Sequence, residues 1–210
     1  QSRDGGFAVW DKNNWLLFNV LKGLFDVGDY SHADITARVL LALSALQELE
    51  RYREREDLRE AIRRARGFLV GARKSSEHWY GRWGANYTYG TGQALAGLRA
   101  TGSPRDAEHV SRAVAWLWSV QNPDGGWGES LRSYETGAFE PAESTVAQSA
   151  SVLVGLLAAG EHDAPRFWKG IDFLLGRQEA DGAWRDHLYF AVNVPRAWYG
   201  RYGLIPTQAT

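Results

Sequence analysis

The residue types in this chain that could do chemistry recur at one spacing: an amide, then Asp, Gly, a small residue and an aromatic. QNPDGGWGE runs from Gln121 to Glu129, QEADGAW from Gln178 to Trp184, and QSRDGGF from Gln1 to Phe7. The Asp-Gly pair forces a tight turn, so the aromatic lands where the next element begins. An amide near a helix end can bond the backbone groups left free at the start of the next helix, and the Trp then stacks across the same joint. A degraded copy from Arg63 to Trp79 keeps the closing Trp but has Arg73 for the Gln and Ser76-Glu77 for Asp-Gly. Its register survives while its turn chemistry does not.

Other reactive groups are scarce. Cysteine is absent, which removes disulfide frameworks, thiolate metal sites and cysteine nucleophiles. His32, His78, His109, His162 and His187 show no ligand spacing, so no metal is expected. The formal charge of −1, with arginines interspersed among carboxylates, leaves no electrostatic footprint for nucleic acid.

Short helical patterns position these turns: RAVAWLWSV precedes Gln121 and KGIDFLLGR precedes Gln178, with apolar residues three and four apart. Helix, turn, helix is therefore the unit. Self-similarity at roughly fifty residues predicts stacked helical hairpins, an all-α toroid or solenoid with negligible β content. The 210 residues make one domain of ordinary size. A start in mid-repeat and the lack of any methionine lead us to expect a piece of a longer protein.

In chain order, Trp15 to Phe25 is apolar nearly all round, either a segment packed under the toroid or an apolar surface against lipid or a greasy entrance. It falls short of the roughly 18–20 residues that span a bilayer. Ser31 or Asp34 is placed to cap a core helix carrying Ile35, Val39, Leu40, Leu43 and Leu46. The charged stretch that follows reads as a solvated hairpin joint. An aromatic and glycine-rich run, Trp79 to Gly92, leads into a small-residue helix from about Thr91 to Ala100. The loop from Gly128 to Glu143 is long enough to border a site, and Ser144 or Thr145 is placed to cap the next helix.

Lys169-Gly170 through Gln178 to Gly182-Ala183-Trp184 matches the QW motif. Together with WYGRWGANYTYGTG, QNPDGGWGES-LRSY and Ser144-Thr145-x-x-Gln148, the chain closely resembles the later part of squalene-hopene-type triterpene cyclases over nearly its whole length. The resemblance implies an α/α toroid of QW-repeat hairpins, here a partial barrel formed by residues 1–210 as a single C-terminal portion. It implies a reaction in which an acid protonates a terminal alkene and squalene closes to a hopanoid through carbocations, with no cofactor. It also implies a peripheral protein on one leaflet of the bacterial cytoplasmic membrane, and a homodimer for the full-length enzyme. A cation in an apolar cavity must be stabilised without water, and aromatic faces can do that.

Carried over by position, the family's cavity aromatics fall on Trp10, Trp127, Tyr134, Trp198 and Tyr202, and its substrate entrance on Leu24 and Phe25. Trp127 is also the repeat's own stacking residue, and Tyr202 has an ordinary core role as its alternative. Asp34 and Arg38 match a family pair that supports the acid, with Arg38 standing where the family has His. A guanidinium can hold neighbouring carboxylates but cannot shuttle protons near neutral pH. Similar replacements accompany longer or partly cyclised prenyl substrates, so a related polyprene stands beside squalene. The family's D-x-D-D acid motif is not in this sequence. Its expected place is upstream, and residues 1–210 alone are expected to turn over no squalene. The rival reading is a QW-fold scaffold or binding module without chemistry. A prenyltransferase-like zinc site would need a Cys that this chain lacks.

Overall fold

The computed structural model describes residues 1–9, 30–73, 77–194, 196 and 198–200. Trp10, Leu24, Phe25 and Tyr202 lie outside them. Among the described residues the helices are α1 (Ala33–Glu48), α2 (Glu50–Arg53), α3 (Glu56–Gly71), α4 (Asn86–Ala100), α5 (Ala107–Ser119), α6 (Ser133–Thr136), α7 (Val146–Ala159) and α8 (Pro165–Gly176). Helices α1, α4 and α7 form an inner row with α4 in the middle, and α3 and α8 pack behind α1 and α7.

The centre of the row is built from small residues. A Cβ on Gly92 would lie 2.4 Å from the Ser151 carbonyl oxygen of α7, and one on Gly97 would lie 2.8 Å from the Ala37 carbonyl oxygen of α1. Real side chains do not approach backbone so closely, so glycine sets the distance of α4 from both neighbours. Leu40, Leu69, Leu95, Leu98, Leu117, Val152 and Leu156 fill the space between the layers and are almost wholly buried. Each contributes roughly 1.5–3 kcal/mol by leaving water.

The repeat turns are joints, as the sequence predicts, with one correction to their chemistry. The Gln amides donate to carbonyls and do not serve free N–H groups at a helix start. Gln121 Nε2 reaches Gly125 O at 2.8 Å and Arg166 O at 2.9 Å, and Gln1 Nε2 reaches Gly5 O at 2.8 Å and Ala61 O at 2.9 Å. Gly5, Gly125 and Gly182 have φ of 90°, 90° and 83°, the left-handed region that glycine enters without steric cost. Asp124 Oδ1 accepts from Gly126 N and Ser144 Oγ, and Asp4 Oδ1 accepts from Gly6 N and Ser31 Oγ. The indole N–H of each Trp closes the joint on a carbonyl ten residues back: Trp79 to Leu69, Trp127 to Leu117 and Trp184 to Leu174, at 2.7, 2.8 and 2.7 Å.

Other expectations need revision. The domain is mostly helical but not purely so. Strand β1 (Trp127–Glu129) pairs antiparallel with β2 (Pro141–Thr145), and β3 (Ala191–Val194) pairs antiparallel with β4 (Trp198–Gly200). The first pair zips the two ends of the long 128–143 loop together, giving backbone groups outside the helices their partners. Helix α4 starts at Asn86, about five residues before the expected Thr91. Neither Ser31 nor Asp34 caps α1; its N-cap is His32, without a side-chain bond, and Ser31 serves Asp4 instead. Thr145 does cap α7, accepting from Gln148 N at 3.2 Å. The charged stretch from Glu50 to Arg66 is solvated on one face only: Arg59 pairs with Glu54 at 2.7 Å and Arg63 with Glu60 at 2.6 Å on the surface, while Ile62 and Ala65 enter the core and Arg66 reaches the buried Asp106 at 2.6 Å.

Candidate functional site

The N-terminal ends of α1 and α4 open on a cleft of about 370 Å³ whose wall includes Tyr30, His32, Tyr80, Tyr87, Ser133, Tyr134 and Arg196. Three segments converge there: the start of α1, the 80–87 loop running into α4, and α6 in the long loop. Tyr80 lies edge-to-face with Tyr134 at 5.5 Å and with Tyr87 at 6.3 Å, the geometry that sets a ring edge against a neighbour's negative face.

The phenols are locked by backbone. The Tyr134 hydroxyl lies 2.7 Å from both the Gly81 and Gly84 carbonyls, and Tyr87 donates to the Gly137 carbonyl at 2.8 Å. Arg196, itself in a left-handed conformation at φ 67°, holds the Tyr134 carbonyl through Nε at 2.9 Å. Burial pushes the Tyr134 phenol well above its usual pKa and, with Glu129 adding to it, raises that of Tyr87. Both stay neutral and offer rings, not phenolates. His32 is pushed down to about 4 by burial and then by the Arg82 charge, so it too is neutral at ordinary pH.

Behind the wall are two buried carboxylates. Asp34 Oδ2 accepts from the Arg82 and Trp83 backbone N–H groups at 3.1 and 2.9 Å, and its Oδ1 accepts from Ile35 N at 3.0 Å. Burial raises its pKa, and those N–H groups and Arg38 oppose the shift. Glu129 Oε2 accepts from Thr88 N at 2.8 Å and from the Thr88 hydroxyl at 3.1 Å. That bond explains the early start of α4: a carboxylate from a distant loop serves a free N–H of its first turn, where negative charge is favoured. Asp186 does the same for α7, accepting from Val146 N and Ala147 N at 2.8 and 2.9 Å.

Of the sequence-predicted residues, Tyr134 lies in the cleft wall. Asp34 is wholly buried beside it, and Arg38 is exposed on the inner row, donating through Nε to Gln93 at 3.1 Å with its guanidinium 5.8 Å from the Tyr89 ring centre. Trp127 is wholly buried in its joint, bound to Leu117, against Gly170 and 5.9 Å from the Trp118 ring. Trp198 sits on β4 and is 63% exposed. Tyr80, Tyr87, His32, Arg82 and Glu129 were not singled out as site residues. The first two and Arg82 belong to the aromatic, glycine-rich WYGRWGANYTYGTG stretch, and Glu129 follows the repeat Trp by two positions; His32 carries no sequence signal of its own. Among the described residues no group of three or more His, Cys, Asp or Glu is disposed to hold a metal, and no helix is long and apolar enough to cross a membrane.

The helical fold recurs in proteins of known structure. Ent-copalyl diphosphate synthase from Streptomyces platensis superposes with a TM-score of 0.65 at 20% identity, over 90% of this chain and 32% of that one. The type II terpene cyclase MstE from Scytonema gives 0.61 at 20% identity, over 90% and 48%. A polysaccharide lyase also superposes, at 0.58 and 15% identity, so the helical scaffold by itself serves more than one chemistry. Sequence then settles the family. The squalene-hopene cyclase C-terminal domain matches residues 1–207, and the chain belongs to that family. It is 37% identical over 207 residues to a probable squalene-hopene cyclase of Sinorhizobium fredii and 34% identical over 209 to that of Zymomonas mobilis. It is also 34% identical over 222 residues to dammaradiene synthase of Dryopteris crassirhizoma. These alignments cover 96% of this chain but 31%, 30% and 32% of the relatives, so the chain spans about a third of their length.

Proposed function

We propose that residues 1–210 act as the C-terminal portion of a longer protonation-initiated polyprene cyclase of the squalene-hopene type, closing squalene or a related polyprene to a hopanoid-like triterpene. The carrying observation is the cleft with three interlocked tyrosine rings in its wall. Such a wall can face a positive charge without quenching it, because a ring face attracts a cation while supplying no nucleophile of water's reactivity. In this reading the acid comes from the remainder of the polypeptide, and no cofactor takes part. Asp34 positions the 82–83 loop, and Arg38 supplies a fixed positive charge where the family has a His that supports the acid. Trp10, Trp198 and Tyr202 complete the aromatic lining, Leu24 and Phe25 border the substrate entrance, and the protein works from one leaflet of the bacterial cytoplasmic membrane as a homodimer.

A scaffold without chemistry is the second reading, favoured at two positions: Trp127 is fully engaged in its joint, and both Asp34 oxygens accept backbone N–H groups. Assaying the intact polypeptide that carries residues 1–210 with squalene and longer polyprenes decides between them. Cyclised product from the wild type, with incompletely cyclised product from Tyr134→Ala, supports the cyclase. No product from any polyprene, with the fold intact by circular dichroism, supports the scaffold.

A further inference from the structure

Glu129 stands out among the buried groups. Its residue is 3% exposed and one oxygen serves Thr88; the other, Oε1, is buried without a well-formed hydrogen bond, and the Ser133 hydroxyl and the Tyr87 backbone N–H are the donors that act on the carboxyl beside Thr88. Its peptide is clamped on both sides by one side chain: Glu129 N donates to Gln148 Oε1 at 2.6 Å, and Gln148 Nε2 donates to Glu129 O at 3.1 Å. The clamp fixes the backbone of Glu129, and burial keeps its carboxyl from water.

A joint needs no such charge. Capping the first turn of α4 takes one acceptor, which an amide would provide, while a buried unsatisfied carboxylate oxygen is costly. Asp34 differs here, since each of its oxygens has an N–H donor. What faces Glu129 is the cleft wall: Ser133 and Tyr87, both lining the cleft, are near enough to act on its ionisation, and its charge in turn acts on Tyr87 and Tyr134. Ser133 is held by Asn86 Nδ2 at 3.1 Å, which leaves its hydroxyl proton to point elsewhere.

We propose, on the cyclase reading above, that Glu129 is a positioning residue of the cleft that also sets the wall's negative potential. It ties Ser133 of α6 to Tyr87 and Thr88 at the start of α4 and supplies through them the field against which positive charge develops in the substrate. Burial raises the pKa of this carboxyl, and the Thr88, Tyr87 and Ser133 donors hold it toward the charged form; rings alone contribute a quadrupole, whereas the ionised carboxylate behind them, shielded from water, contributes a charge at low effective dielectric.

The test compares Glu129→Gln, which keeps the acceptor for Thr88 and loses the charge, with Glu129→Asp, which keeps the charge. Calorimetry on the intact polypeptide uses two probes of one shape, a polyprenyl trimethylammonium and its neutral tert-butyl isostere. Glu129→Gln is expected to weaken the ammonium about 10-fold and the isostere less than 2-fold, and Glu129→Asp to restore most of the difference. Equal weakening of both probes, or of neither, overturns the proposal, as does failure of the wild type to prefer the ammonium. If Glu129→Gln does not fold, Glu129→Asp decides: a folded protein that has lost the preference also overturns it. These readouts need no turnover, so absence of cyclised product alone would defeat the cyclase reading and leave the charge effect separately visible.

Discussion

The joints at Trp127 and Trp79 occupy the same place in successive hairpins and are built from different residues. Both keep the indole bond ten residues back, and both use the backbone N–H of the Trp to bind a hydroxyl on the inner row, Ser149 at 2.8 Å and Thr91 at 3.1 Å. Phe7 makes the same backbone bond to Thr36 at 2.8 Å. The Gln and Asp-Gly of the first joint are missing from the second, where Arg73 instead bonds the Val70 carbonyl at 2.9 Å and contacts His109 Nδ1 at 2.8 Å. The carboxylate also changes sides. At Trp127 the loop brings Glu129 to the N–H groups of α4, whereas at Trp79 helix α1 brings Asp34 to the N–H groups of the loop. The aromatic and the hydroxyl hold the register, and the amide and turn residues can be exchanged. The loop after Trp79 carries Tyr80 into the cleft wall.

Mutation can break or sharpen this comparison. Trp127→Ala and Trp79→Ala should each cost about 3–5 kcal/mol in urea unfolding, because both indoles are wholly buried and both lose a hydrogen bond. A difference above ~2 kcal/mol between them would show that the joints are not equivalent. Asp34→Ala should cost about 3 kcal/mol, since it strands buried N–H groups of Arg82 and Trp83. The same measurement on Asp34→Asn should recover a good part of that loss.

His32 gives a pH-dependent version. Its pKa is lowered to about 4 from 6.5, so the unfolded chain takes up a proton before the folded one does. Its contribution is present above the unfolded value and is lost as pH falls from about 6.5 toward 4, by at most ~3 kcal/mol. His32→Gln should flatten that part of the stability profile. Asp34 and Glu129, with pKa values raised by burial, act in the opposite sense: their contribution is greatest at low pH and declines as pH rises through the raised values. Smallest of the series, Gln121→Ala should cost about 1–2 kcal/mol for its two carbonyl contacts, and Arg73→Ala less than half as much, by thermal melts of each.

These contrasts also mark what the sequence could convey. The joints at Phe7, Trp127 and Trp184 are legible because turn, amide and aromatic lie within a few residues, and the helices because their apolar spacing is local. The start of α4 was misplaced because its cap, Glu129, comes from a loop 41 residues away in sequence. Asp34 has the sequence position of a cap, yet burial beside the 82–83 loop gives it the Arg82 and Trp83 N–H groups as partners. The strands β1 to β4 are three to five residues long and carry no alternating pattern to betray them. Tyr134 is marked by the family resemblance, whereas Tyr80 and Tyr87 are site residues only because the 80–87 loop meets α6, a contact no local pattern encodes.

The central claim is that the tyrosine cleft receives the polyprene chain. Photolabelling the intact polypeptide with a benzophenone-tipped polyprene, followed by peptide mass mapping, tests it most directly. The account predicts labels concentrated in 80–87 and 133–137, suppressed by excess unlabelled polyprene. Competable labelling confined to other parts of the protein, with these two segments unmarked, would contradict it.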